Sequence, residues 1–115
     1  MPREAAVATP FEESCVDKLA ELFPNSCSIR IPVRLVTRTN GRRRLHEKTV
    51  LEFATANEIL FASALPLEFE DHIRVVSSDR SLDARATVVA VRYLRGSKAV
   101  AARFEGEVKN WIVKP

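Results

Sequence analysis

The sequence predicts an all-β domain, a small six-stranded antiparallel barrel with a short N-terminal helix. Three observations carry this expectation. From Ile29 onward, apolar residues recur at every second position, the period of a strand with one buried face. Asn40-Gly41 separates the first such run from the next, and both residues of that pair accept the positive φ of a tight hairpin. Six strand-like segments then follow one another with turn residues between them, a spacing suited to a closed antiparallel sheet.

Each element has its own local reason. Residues 1–8 are small and aperiodic and read as a flexible tail. An amphipathic helix is expected over residues 9–24. Thr9 can cap it, Pro10 suits the first helical position, and Glu12 follows three residues after the cap. Phe11, Cys15, Leu19, Leu22 and Phe23 then share one face, and Pro24-Asn25 stops the helix. The barrel domain is expected over residues 26–115.

Ile29, Ile31, Val33 and Leu35 point to one side of the first strand, and Arg30, Pro32, Arg34 and Arg38 to the other. Pro32 inside that run suggests an edge or a bulge. The return strand runs from near Arg43 towards Phe53, and a short apolar strand covers Ile59–Ala62. The stretch "SALPLEFEDH" is a connection, Ile73–Val76 a strand, and "SSDRS" a turn. Leu82–Tyr93 alternates, with Leu82, Ala84, Ala86, Val88 and Ala90 on one face. "LRGSK" turns the chain into Ala99–Phe104, and Trp111 is expected to plug an open barrel end.

Composition bounds the function. A chain of 115 residues with 46% hydrophobic content makes one domain with a core. No apolar run approaches the roughly 20 residues of a membrane span. "MPREAAVATP" lacks the apolar centre of a secretory signal. The expected location is therefore cytoplasmic. Cys15 and Cys27 have no metal-binding spacing and read as two small apolar residues. The first 29 residues carry two cations against five acids, and the rest sixteen cations against ten acids. A basic body behind an acidic leader favours anionic partners, or docking of one part on the other.

No catalytic constellation is present. His46 and His72 stand alone, without the spacing of a metal pair or a catalytic pair, and three glycines make no phosphate loop. The reading is therefore not an enzyme, with no catalytic and no metal-binding residue and no cofactor. Guanidinium forks can bind phosphates bidentately. Arg38, Arg42, Arg43 and Arg44 nevertheless read mainly as a solvated hairpin tip. Single-stranded nucleic acid also wants exposed aromatics for stacking, and the body offers few beyond Tyr93.

The order of segments resembles a PilZ domain over about Ser26 to Trp111. An arginine enters the first strand, then come a hairpin, a second strand, a short turn, "ILF", "LPLEFEDHIRV", a long strand and a closing "VAARFE". The resemblance implies a six-stranded barrel which, in its typical form, binds the bacterial second messenger cyclic di-GMP. Typical members hold that ligand with two motifs. The first is a pair of arginines with three residues between them. "RIPVR" supplies it literally as Arg30 and Arg34. A second register makes Arg30 the second arginine, before its "IPV" run, and puts Ser26 at the first; this register is preferred. The second motif is Asp or Asn, any residue, Ser, two residues, Gly. Alignment on "ILF" places Phe53, Thr55 and Glu58 at those positions. Only Thr55 keeps hydrogen-bonding chemistry. Phe53 cannot bond a guanine edge, and Glu58 adds charge where backbone should approach a dianion.

The leading functional expectation is thus a bacterial signal-transduction or regulatory module that acts through protein contacts. Cyclic di-GMP is expected to bind weakly or not at all. The partner is a protein the sequence does not identify, with a homodimer as one candidate. The first alternative is a functional cyclic di-GMP receptor using Arg30 and Arg34. The second is a basic barrel on single-stranded nucleic acid, the least favoured partner.

Overall fold

The computed structural model describes residues 14–39 and 43–114, and of residues 38, 39 and 43 the backbone only. Its elements are α1 (Cys15–Ala20), β1 (Cys27–Thr39), β2 (Arg43–Ala54), β3 (Glu58–Ala62), β4 (His72–Ser77), β5 (Asp83–Leu94) and β6 (Ser97–Phe104). The six strands close into an antiparallel barrel in the order β1-β2-β3-β6-β5-β4. The expected all-β architecture and the short helix are both present. Among the described residues, no helix is long and apolar enough to cross a membrane.

Alternation builds the barrel interior. Val33 and Leu35 from β1, Leu51 from β2, Ile59 and Phe61 from β3, and Ile73 and Val75 from β4 are all buried together. Ala86 and Val88 from β5 and Val100 and Ala102 from β6 complete the ring. Leu65 and Leu67, in the connection after β3, turn into this same core, so that segment packs as well as connects. Lys98 Nζ donates to the Leu65 carbonyl, which ties the connection to β6.

Two local irregularities place side chains where simple alternation does not. The β1–β2 register shifts between Ser28 and Ile31, just before Pro32. Pro32 also lies one residue past the last β4 partner of β1, so its missing N–H removes no bond from that ladder. In β5 the register shifts between Val88 and Ala90. The extra residue, Val89, turns Ala90 outward, away from the interior face that Val88 occupies. Ala90 was expected on the Val88 face, and the bulge corrects that. The β5–β6 turn is the two-residue pair Arg95-Gly96, with φ of 52° and 83°, the positive values that such a hairpin requires.

The helix lies on the outside of the barrel. Cys15, Val16 and Leu19 pack on Leu60 of β3 and on Ala99 and Ala101 of β6. The small alanines let the helix approach the sheet closely, and the contact makes β3 and β6 apolar on both faces. Ser14 caps α1 in a reciprocal box with Asp17: each side chain accepts the other's backbone N–H, at 3.1 and 3.0 Å. The expected helix over 9–24 is therefore shorter where it is described, beginning after Ser14 and ending at Ala20. Thr9, Pro10, Phe11 and the tail lie outside the described residues, as do Asn40, Gly41 and Arg42. Leu22 is a further correction: the chain leaves the helix before it, and it is 63% exposed.

Candidate functional site

The six residues that the resemblance implicates divide into three places. Ser26 follows α1, where its N–H donates to the Phe23 carbonyl at 2.9 Å. Phe53 stands opposite Ser28 in the β1–β2 ladder and packs against the helix cluster. Ser26 and Phe53 line one shallow groove of about 320 Å³, together with Asp17, Glu21, Phe23 and Ser28. Its polar groups are therefore hydroxyls and carboxylates, and among the described residues no cation lines it.

Thr55 and Glu58 form the second place, the β2–β3 turn. Thr55 N–H donates to the Glu58 carbonyl at 2.9 Å, and Thr55 Oγ1 accepts from the N–H groups of Asn57 and Glu58 at 3.1 and 2.9 Å. The Thr55 hydroxyl donates to Glu58 Oε1 at 2.6 Å. Arg103, directly opposite Glu58 on β6, donates to Oε2 from Nε and Nη2 at 3.0 and 2.8 Å. Burial pushes the Glu58 carboxyl up, but the Thr55 hydroxyl and the bonds and charge of Arg103 outweigh it and hold it below the ordinary value. Both oxygens of Glu58 are thus engaged by the protein itself. Beneath the turn, Trp111 Nε1 donates to the Thr55 carbonyl at 3.0 Å, and its ring meets Phe104 edge-on at 5.0 Å. Trp111 is 6% exposed and belongs to the barrel core, as a plug at this end.

The arginines occupy the third place, and they do not converge. Arg30 sits in the β1 bulge across from Glu52, and its charge partly offsets the burial and the Asp17 charge that push the Glu52 carboxyl up. Arg34 is four residues further along β1, about 13 Å on, opposite Lys48. Both arginines are exposed. The structure brings Thr55 and Glu58 together, and Ser26 and Phe53 together, while it sets Arg34 apart from either pair.

Two partners escaped the sequence reading. Arg103 is 45 residues from Glu58, and only the β3–β6 register shows the pairing. Glu52 faces Arg30 only because of the bulge. Neither has a local sequence signal. His72, read as solitary, holds Glu105 at 2.6 Å through Nδ1, and the Thr87 hydroxyl donates to the same Glu105 oxygen at 2.9 Å. The His72 and Thr87 bonds keep the Glu105 carboxyl below its ordinary value against the effect of burial. Cys15 is buried under the helix, whereas Cys27 is exposed, so the expectation of a small apolar residue holds for Cys15 alone. Among the described residues, no group of three or more His, Cys, Asp or Glu is placed to hold a metal ion. Compared with protein-family models, curated proteins and solved structures, the chain has no match in any of the three.

Proposed function

We propose that this chain is a degenerate PilZ-like signalling module that works through protein contacts, with little or no affinity for cyclic di-GMP. The closed six-stranded barrel is the architecture the resemblance implies. The observation that carries the ligand part of the proposal is the saturated Glu58. Its position is the one at which the resemblance implies a glycine, and its carboxylate is held in place by Thr55 and Arg103. A dianionic ligand there would meet a fixed negative charge and an apolar Phe53 ring. Each such mismatch in a binding site costs roughly 1–3 kcal/mol, and together they would weaken binding by orders of magnitude.

The same geometry speaks against the receptor alternative. Arg34 stands opposite Lys48, apart from the Ser26–Phe53 groove and from the Thr55–Glu58 turn, so it does not supplement Arg30 at that site. Calorimetric titration of the protein with cyclic di-GMP tests the proposal. No binding heat at micromolar ligand is expected. Micromolar binding that disappears in Arg30→Ala would reverse it.

A further inference from the structure

The groove past the end of α1 combines apolar walls with negative charge. Ala20, Phe23, Pro24 and Phe53 supply the apolar surface, and Asp17 and Glu21 the carboxylates. Leu22 stands in the chain between two of the lining residues and is 63% exposed, so apolar surface continues out of the groove into water. A third acid is close by. Glu52 precedes Phe53 in β2, and burial and then the Asp17 charge push its carboxyl up, with the Arg30 charge opposing them.

The protein itself answers little of this charge. Asp17 accepts the Ser14 N–H through Oδ2, as part of the helix cap. Glu21 has Lys18 at 4.0 Å, an exposed pair of the kind that contributes little. Arg30 offsets Glu52 in part, but among the described residues no cation bonds Glu52. Elsewhere on the barrel, acids are clamped: Asp83 by the Arg74 fork at 2.9 and 2.7 Å, and Glu58 by Arg103. The contrast matters on a chain of net charge +3, where cations are plentiful. The ionised Glu52 weakens the free fold, and an incoming cation would relieve that cost. The groove holds about 320 Å³, the small end of ligand pockets of roughly 300–1,000 Å³. It suits one or two side chains of a segment lying across it rather than a whole small molecule.

We infer, resting on the protein-contact reading, that this groove docks a cationic segment of a partner protein. An apolar side chain of that segment packs against Phe23 and Phe53, and its flanking lysine or arginine side chains meet Asp17, Glu21 and Glu52. Ser26 contributes by what it lacks. An arginine at that position would answer the same carboxylates from within, whereas the serine leaves them to a partner.

The test is fluorescence anisotropy of the full chain with a short labelled peptide in which lysines alternate with leucine and phenylalanine. Its counterpart carries glutamate for every lysine. The lysine peptide is expected to bind at low salt and the glutamate peptide not, the reverse of what a net charge of +3 favours by itself. Serine in place of leucine and phenylalanine should weaken binding about tenfold, because the apolar anchor is gone. Glu21→Gln with Glu52→Gln should weaken it about fivefold. Glu68→Gln with Glu107→Gln, equal in charge change but away from the groove, should leave it nearly unchanged. Thermal melts check that each variant folds. The docking site is overturned if the lysine peptide does not bind, if the glutamate peptide binds as tightly, or if the two double variants lose the same affinity. Cyclic di-GMP calorimetry on the same protein separates this failure from failure of the reading beneath it. Silence with both the dinucleotide and the lysine peptide overturns the docking site alone, and micromolar dinucleotide binding overturns both.

Discussion

Arg103 clamps Glu58 through two donors on one carboxylate oxygen, at 2.8 and 3.0 Å, across the β3–β6 ladder. The Glu58 side chain is only 15% exposed. Its charge would be costly there without partners, and Thr55 holds the other oxygen. Glu58→Ala should destabilise the domain by about 1–2 kcal/mol, the scale of charge-assisted hydrogen bonds lost from a partly buried group. Arg103→Gln should cost less, about 0.5 kcal/mol, since the Arg103 side is largely in water. Urea titrations measure both. Equal stability of Glu58→Ala and the parent protein would mean that the clamp contributes nothing to the fold.

Glu52 and Glu58 should respond to pH with opposite signs. Glu58 has a lowered carboxyl, so its stabilisation is present above the ordinary carboxylate value and is lost as pH falls through the folded value. Glu52 is raised, first by burial and then by the Asp17 charge, so its ionised form weakens the fold at neutral pH and that penalty is relieved in acid. Glu52→Gln should therefore raise Tm at pH 7, and Glu58→Gln should lower it. Both differences should shrink towards pH 3. Thermal melts over that range give the answer, and shifts of the same sign in the two variants would contradict the assignment.

The acid limb has a second contributor in the turn after β4. Asp79 accepts from the Ser81 hydroxyl, the Ser81 N–H and the Ser77 hydroxyl, in that order of effect, and its carboxyl is lowered to about 2. Its stabilisation is present above the ordinary aspartate value near 3.8 and fades as pH falls towards 2. Asp79→Asn should lower Tm at neutral pH and flatten the acid limb of the melting curve. A limb of unchanged slope would show that the turn does not depend on the ionised group.

Trp111 and Leu19 test the two apolar contacts that finish the barrel. Trp111→Ala removes the end plug and its bond to Thr55, and should cost about 3–5 kcal/mol. The parent protein should emit at short wavelength and resist iodide quenching. Leu19→Ala should cost about 2–5 kcal/mol, because Leu19 is fully buried between α1 and the alanine wall of β6. A red-shifted, freely quenched tryptophan or a neutral Leu19→Ala would remove the corresponding contact from the account.

What the sequence made legible was periodic. Val100, Ala102 and Phe104 share the inner face because alternation along β6 is unbroken. Ala90 fails the same rule because one extra residue, Val89, reverses the phase. Leu22 continues the helical spacing on paper, but the chain leaves the helix at Ala20 and carries it into water. The site was legible only as positions. That Glu58 is held by Arg103, or that Arg34 faces Lys48, depends on strand register, which long-range closure sets and local composition does not.

The central claim is that positions 26, 53 and 58 have lost the chemistry for cyclic di-GMP while the barrel has kept the scaffold. The most direct measurement is calorimetric titration of cyclic di-GMP into Ser26→Arg/Phe53→Asp/Glu58→Gly, beside the parent protein and after circular dichroism has shown the variant folded. The account predicts binding heat for the variant at micromolar ligand and none for the parent. A folded variant that stays silent would contradict this placement of the site, and a parent that binds as tightly as the variant would contradict its loss.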